Sequence, residues 1–380
     1  MSISISEKRT AKLAAWTSAV LISLVLLSLT PAVKADKVTD WNAIGAQVLM
    51  TGGNAGAAGS VDMAYMHIAI YDAVNAIEGG YTVFAVRPST IPPGASAEAA
   101  TVEAAYRILR SLYPAQTVSL NAQYAASLAT IPDGQAKLDG IAVGAEVATL
   151  FLASRIGDGR NANVPYTPGT GPGAWIPTSP APPAMVWLSQ MRPFAIESPT
   201  QFRPEPPPSL DSDEYANDYN EVKRMGALNS SERTPEQTLL GRFFLAPGIP
   251  QVAGALRQLA METGLSLKDN ARLFAQAYVA QADATIAGWD SKYHYGFWRP
   301  ITAIRAGDTD SNPNTVADLT WTPLSTTPNH PEYLSAHAFV DGAWTETLRQ
   351  FFGTKRLDVT MTSSITGTSM SFSSTDDIVK

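Results

Sequence analysis

Residues 289–305 read WDSKYHYGFWRPITAIR. Lys292 and Arg299 stand seven apart, so on a helix they share one face two turns apart, with Trp289 one turn before the lysine. Pro300 then breaks the helix. Two cations lie here among Trp289, Tyr293, Tyr295, Phe297 and Trp298. Taken alone, the pattern reads either as cations snorkelling over an aromatic core or as a pair that holds an anion.

A second segment bears on that choice. Residues 328–339 read PNHPEYLSAHAF. Ser335 is a good N-cap, and the amides of Ala336 and His337 would then point out of a helix N-terminus. Such an end carries partial positive charge and free N–H donors, which suits a tetrahedral oxyanion. Ser335 adds a hydroxyl and His337 an acid/base group. An ordinary capped helix with a packed histidine would show the same letters. A lysine, an arginine, a serine at a helix start and a histidine together make a kit for phosphate-like anions.

Outward from these segments the chain reads as all-α. Helical periodicity covers residues 63–77, 96–112, 116–130, 135–154, 212–225, 234–244, 251–263, 266 to about 298, and 335–353. Between Pro165 and Pro208 lie 13 of the 27 prolines, so this stretch cannot be helical. Its Trp175, Trp187 and Phe194 suggest an ordered wrap over a helical core. The tail, 360–375, is rich in Ser and Thr and has no helical period. No run of alternating strands and no repeat of 20–50 residues is visible. The expected organisation is a leader (1–35), an N-terminal helical half (36–164), a Pro/Gly-rich connection (165–211) and a C-terminal helical half with the anion site (212–380).

The 380 residues, 45% hydrophobic and 16% charged, suffice for a large stable core and lack the signature of disorder. Lys8, Arg9 and Lys12 precede an apolar run from Leu13 to Leu29, and Val33-Lys34-Ala35 resembles a cleavage site. Export to the periplasm or the medium follows, with no membrane span left after cleavage. Cleavage removes four basic residues and one acid, making the mature chain more acidic than the whole, whose net charge is −7. Nucleic acid is a poor partner for such a chain. There is no cysteine, which excludes disulfides, thiolate metal sites and cysteine nucleophiles. The four histidines, His67, His294, His330 and His337, are too few for a histidine-rich metal cage.

The order Lys-x6-Arg-Pro, followed by Ser-x-His at a helix start, resembles the first two signature motifs of the vanadium-dependent haloperoxidases. Type 2 phosphatidic acid phosphatases and bacterial class A acid phosphatases share them. Lys292, Arg299 and Pro300 match the first motif. Ser335 and His337 match the second, with Ala336 where glycine is usual. Trp289 looks like the tryptophan that flanks the family's halide pocket. His330 sits where bromoperoxidases have histidine and chloroperoxidases phenylalanine. Residues 66–75 (MHIAIYDAVN) and 283–287 (DATIA) resemble helices of bacterial members.

The resemblance implies helical bundles around a vanadate held by Lys292, Arg299, Ser335, Ala336 and His337. It implies His337 as the acid/base, and peroxide, halide and an organic acceptor as reactants. It also implies a third motif, Ser-Arg-x5-His, that supplies a further arginine and the axial vanadium ligand. No such string occurs in the 380 residues. The expectation is therefore a haloperoxidase-like protein, truncated and impaired. The alternatives are an acid phosphatase on the same anion site, or a non-catalytic remnant that binds anions.

Overall fold

A computed structural model describes residues 35–379. The expected leader lies, but for its last residue, outside the described residues. In chain order the α-helices are α1 (Lys37–Thr51), α2 (Gly59–Glu78), α3 (Ala97–Leu112), α4 (Thr117–Ala129), α5 (Gln135–Ser154), α6 (Asp213–Met225), α7 (Pro235–Phe243), α8 (Gly248–Thr263), α9 (Leu267–Tyr295), α10 (Pro300–Arg305), α11 (Ala336–Phe352) and α12 (Thr375–Val379). The fold is all-α apart from one small hairpin, β1 (Val359–Ser363) and β2 (Thr368–Phe372).

Helices α2 and α9 form the centre. Both are buried on nearly every side, so neither needs a polar face. They pack on each other; α3 covers α2, α5 lies on α3, and α11 lies along α9. One core runs from Val38 in α1 to Ile378 in α12. Close approach is made possible by glycine. A Cβ at Gly144 of α5 would sit 2.4 Å from the carbonyl oxygen of Ala100 in α3, and one at Gly288 of α9 would sit 2.3 Å from the ring of Phe339 in α11. Among the described residues no single helix is long and apolar enough to cross a membrane.

The helix starts follow their capping residues. The hydroxyls of Ser96, Ser212, Thr234 and Ser266 each accept an amide of the first turn. One expectation needs correction, the end of α9, and two elements go beyond the sequence reading. α1 was not anticipated; a reciprocal capping box of Asp36 and Thr39 starts it. α9 stops at Tyr295 instead of running on toward residue 298. Gly296 ends it with φ 54°, a left-handed cap that glycine adopts without strain, and Arg299 then lies in extended backbone before Pro300. The tail is a hairpin, with Val359 and Met361 facing inward and Thr360 and Thr362 hydrogen-bonded outward to Ser371 and Ser369.

The proline-rich connection wraps the core and is pinned to α9. The Asp283 carboxylate accepts the amides of Phe194 (2.7 Å), Ala195 (2.7 Å) and Ile196 (3.0 Å). Asp72 in α2 does the same with Phe84 (2.8 Å), Ala85 (2.9 Å) and Val86 (2.8 Å). In both pins Oδ1 takes the phenylalanine amide and Oδ2 the next two. The two central helices thus carry the same device 211 positions apart.

The polar centre of α2 makes acid stability testable. His67 is fully buried, stacked on Tyr278 at 4.9 Å and 3.0 Å from Asn42 Nδ2. Burial holds its pKa down to about 3, against 6.5 for a free imidazole. Between those values the unfolded chain takes up a proton that the folded chain does not. The stability contributed by neutral His67 is complete above pH 6.5 and is lost as pH falls toward 3, by up to about 1.4 kcal/mol per pH unit. Urea unfolding at pH 7 and pH 4.5 checks this. His67→Gln should lose less stability between the two than the unmodified chain does, by about 2 kcal/mol. Equal losses would contradict it.

Candidate anion site

Lys292 lies in the last turn of α9 and is 1% exposed. Its Nζ donates to the carbonyls of Pro331 (3.3 Å), Glu332 (2.6 Å) and Leu334. Arg299, also buried, reaches the same segment from the far side of Gly296. Its Nε donates to the carbonyl of His330 (2.7 Å) and its Nη1 to Glu332 Oε2 (2.6 Å). Its Nη2 stands 2.9 Å from His330 Nδ1. The two cations therefore meet through residues 330–334, which lead directly into α11, and not through a shared helix face.

Electrostatics follow from that crowding. Burial pulls the Lys292 ammonium down to about 7; Glu332 opposes this and Arg299 adds to it. Nε2 of the His330 ring lies 3.2 Å from Arg299 Nη2, and Nδ1 lies 3.0 Å from the Pro331 carbonyl, which can only accept. The tautomer with its proton on Nδ1 satisfies both, leaving a bare Nε2 toward the guanidinium, which can only donate. Burial, then Arg299 and Lys292, push the His330 pKa down to about 3, which keeps its ring neutral. Trp289 packs over His330 with ring centres 5.2 Å apart, and Phe339 meets Trp289 edge-on at 6.0 Å. The Trp289 indole N–H is buried and has no hydrogen-bond partner among the described residues.

Lys292, Arg299, His330 and Trp289 are thus brought together. Ser335 and His337 are placed differently. Ser335 holds the N-cap position of α11, one residue beyond the carbonyl that Lys292 engages, but its side chain makes no bond to the helix. Ala336 opens the helix. His337 is exposed and edges against Phe244, ring centres 6.2 Å apart.

Two polar residues at the site escaped the sequence reading. Glu332 is the carboxylate on Arg299. Asp341, one turn after His337, is buried, accepts the Trp344 indole N–H (2.9 Å) and interacts with His337. Burial pushes the Asp341 carboxyl up, with Trp344 and His337 pulling against it. The i,i+4 spacing of His337 and Asp341 was the available signal. Among the described residues no group of three His, Asp or Glu side chains could hold a metal ion.

Residues 272–378 match the family model of the second helical-bundle domain of vanadium chloroperoxidase. The solved structure of a bacterial vanadium-dependent iodoperoxidase superposes with a TM-score of 0.75 at 22% identity, covering 90% of this chain and 87% of that one. The fold is that of the vanadium haloperoxidases. A bacterial vanadium-dependent chloroperoxidase in its holo form gives a TM-score of 0.66 at 15% identity, with 85% of each chain covered. The vanadium chloroperoxidase of Curvularia inaequalis is 29% identical in an alignment of 217 positions that covers 46% of this chain and 35% of that protein. The alignment thus spans about a third of that relative's length. The domain matched by the haloperoxidase family model contains Lys292, Arg299, Glu332 and all of α11.

Proposed function

We propose that this chain is a haloperoxidase-like protein in which Lys292, Arg299 and the N-terminus of α11 hold a vanadate. The observation that carries the reading is the convergence of two buried cations on the segment that enters α11. Burying an ammonium and a guanidinium side by side is costly, and such pairs are kept where an anion offsets them. The donor set suits a tetrahedral oxyanion. Lys292 and Arg299 supply charge, Ser335 a hydroxyl not spent on capping, and Ala336 a first-turn amide.

When bound, vanadate supplies peroxide activation and the two-electron oxidation of a halide. The chain's own groups do the rest. Lys292 and Arg299 neutralise and orient the oxyanion. Ser335 and the Ala336 amide fix its oxygens. His337, steadied by Asp341, is the proton carrier at the solvent side. The buried, unpartnered Trp289 N–H, beside the neutral His330 ring, is the donor we assign to a halide, bromide or iodide by the identity of His330.

The 380 residues contain no Ser-Arg-x5-His, so they offer neither the arginine nor the histidine of that motif. A polypeptide of these residues alone should hold vanadate by charge and hydrogen bonds only. It should oxidise bromide far more slowly than a haloperoxidase that carries the third motif. Loading it with orthovanadate and following peroxide-dependent bromination of an organic dye checks this, with nitrophenyl phosphate hydrolysis as the phosphatase control. Bromination as fast as that of a motif-complete haloperoxidase would contradict the expectation. Phosphate hydrolysis without bromination would overturn the haloperoxidase reading.

A further inference from the structure

The cations at this site are not waiting bare. Lys292 spends its donors on backbone carbonyls of residues 331, 332 and 334. Arg299 spends its own on the His330 carbonyl and ring and on Glu332. Of these partners Glu332 alone carries a negative charge. Its carboxylate lies 2.6 Å from Arg299 Nη1, where an oxyanion oxygen would make the same charge-assisted bond. A carbonyl is a neutral spectator to an arriving anion. A carboxylate on the same guanidinium repels it.

We infer that Glu332 is a resident ligand of this site and sets how tightly an oxyanion is held, because an incoming oxyanion must take Arg299 from it. This rests on the reading of Lys292 and Arg299 as an oxyanion site. The surroundings let Glu332 give way. Its side chain is 35% exposed while that of Arg299 is 9% exposed, so the carboxylate has water on one side and the guanidinium does not. Glu332 also forms part of the wall of a cavity of about 240 Å³, together with Tyr215, Phe297, Pro300 and Tyr333. Turning outward, Glu332 trades a partner for solvent. Arg299 has no such exchange, so it takes the next anion that comes. Lys292 yields its longest bond, 3.3 Å to the Pro331 carbonyl, to the oxyanion and stays in place on the Glu332 and Leu334 carbonyls. Glu332 also favours the charged form of Lys292, so it maintains one cation while occupying the other.

The site then binds by displacement, and its affinity is a difference between two anions. Spherical anions such as chloride, which meet one cation at a time, fail to displace a carboxylate, whereas tetrahedral oxyanions that engage Arg299, Lys292 and the α11 amides together succeed. Glu332 is thus a specificity-determining residue that filters anions.

Phosphate titrations by calorimetry test this at pH 5.5, well below the Lys292 value of about 7 so that the ammonium stays charged when the support of Glu332 is removed, on the unmodified chain, Glu332→Gln, Arg299→Ala and the double variant. Glu332→Asp serves as a second variant that keeps the charge on a shorter arm. Glu332→Gln should bind phosphate about tenfold more tightly than the unmodified chain, the gain of one released charge-assisted bond. Glu332→Asp should fall between the two, and Arg299→Ala should erase the gain. Should Glu332→Gln bind no more tightly while Arg299→Ala still abolishes binding, the oxyanion site stands and the role of Glu332 is wrong. Should Arg299→Ala leave phosphate binding unchanged, or should no form bind at millimolar phosphate, the oxyanion reading falls and this inference with it. Matching thermal unfolding temperatures for the chain and its variants show that each comparison is made on folded protein.

Discussion

Lys292→Met should weaken binding of phosphate or vanadate by about 100-fold, with Arg299→Ala close behind, since losing a charge-assisted contact costs about 1.5–3 kcal/mol and each tenfold corresponds to about 1.4 kcal/mol. Methionine keeps the unbranched length of the side chain, and replacing a buried charge with an apolar group of similar volume is often tolerated. Lys292→Met should therefore fold. Its cost in stability comes from the Glu332 and Leu334 carbonyls that lose their donor. Oxyanion titration of the two variants, next to circular dichroism, separates affinity from folding. An affinity within threefold of the unmodified chain would remove Lys292 from the site.

The second large effect is mechanical. Asp283→Ala should lower unfolding free energy by about 3 kcal/mol or more, because the amides of Phe194, Ala195 and Ile196 lose one shared acceptor. Burial pushes the Asp283 carboxyl up while those three amides pull it down, so the pin is a carboxylate held against its own desolvation. The wrap has other anchors. Arg203 grips Asp290 with two bonds of 2.8 Å, and Tyr293 donates to the carbonyl of Ala184 (2.6 Å). These hold the wrap near the last turns of α9, so limited proteolysis between residues 192 and 202 should quicken before global unfolding sets in. The matching Asp72→Ala change should free the segment around Phe84 by the same means. A loss under about 1 kcal/mol for Asp283→Ala would mean that water replaces the pin at little cost.

Much of this was legible in the letters, for identifiable reasons. Serine and threonine caps set the starts of α3, α6, α7 and α9, because a side-chain oxygen that bonds a first-turn amide is a local signal. The wrap over the core could be read from prolines that forbid a helix and aromatics that seek burial. The motif order brought Lys292, Arg299, His330 and Trp289 into view. What stayed hidden depended on tertiary contact. Gly296 could have been one more helical residue; its left-handed turn is what sends Arg299 back toward residues 330–334. Glu332 reads as a surface acid until Arg299 is folded against it. The duplicated pins rest on Phe-Ala-Val and Phe-Ala-Ile, three-letter strings far apart, too short to register as a repeat before both aspartates are seen gathering them. The hairpin at 359–372 was disguised by Ser and Thr on its outer face, which satisfy each other across the strands.

The central claim is that Lys292, Arg299 and the first turn of α11 form one oxyanion site. Soaking crystals of the chain in tungstate, a tetrahedral and strongly scattering stand-in for vanadate, tests it most directly. The account predicts a single dominant anomalous peak whose oxygens lie about 3 Å from Lys292 Nζ, the Arg299 guanidinium and the amide of Ala336, with Glu332 turned away from the arginine. A saturated crystal with its dominant peak elsewhere, or with Lys292 and Arg299 still closed on residues 330–334 and no peak between them, would contradict it.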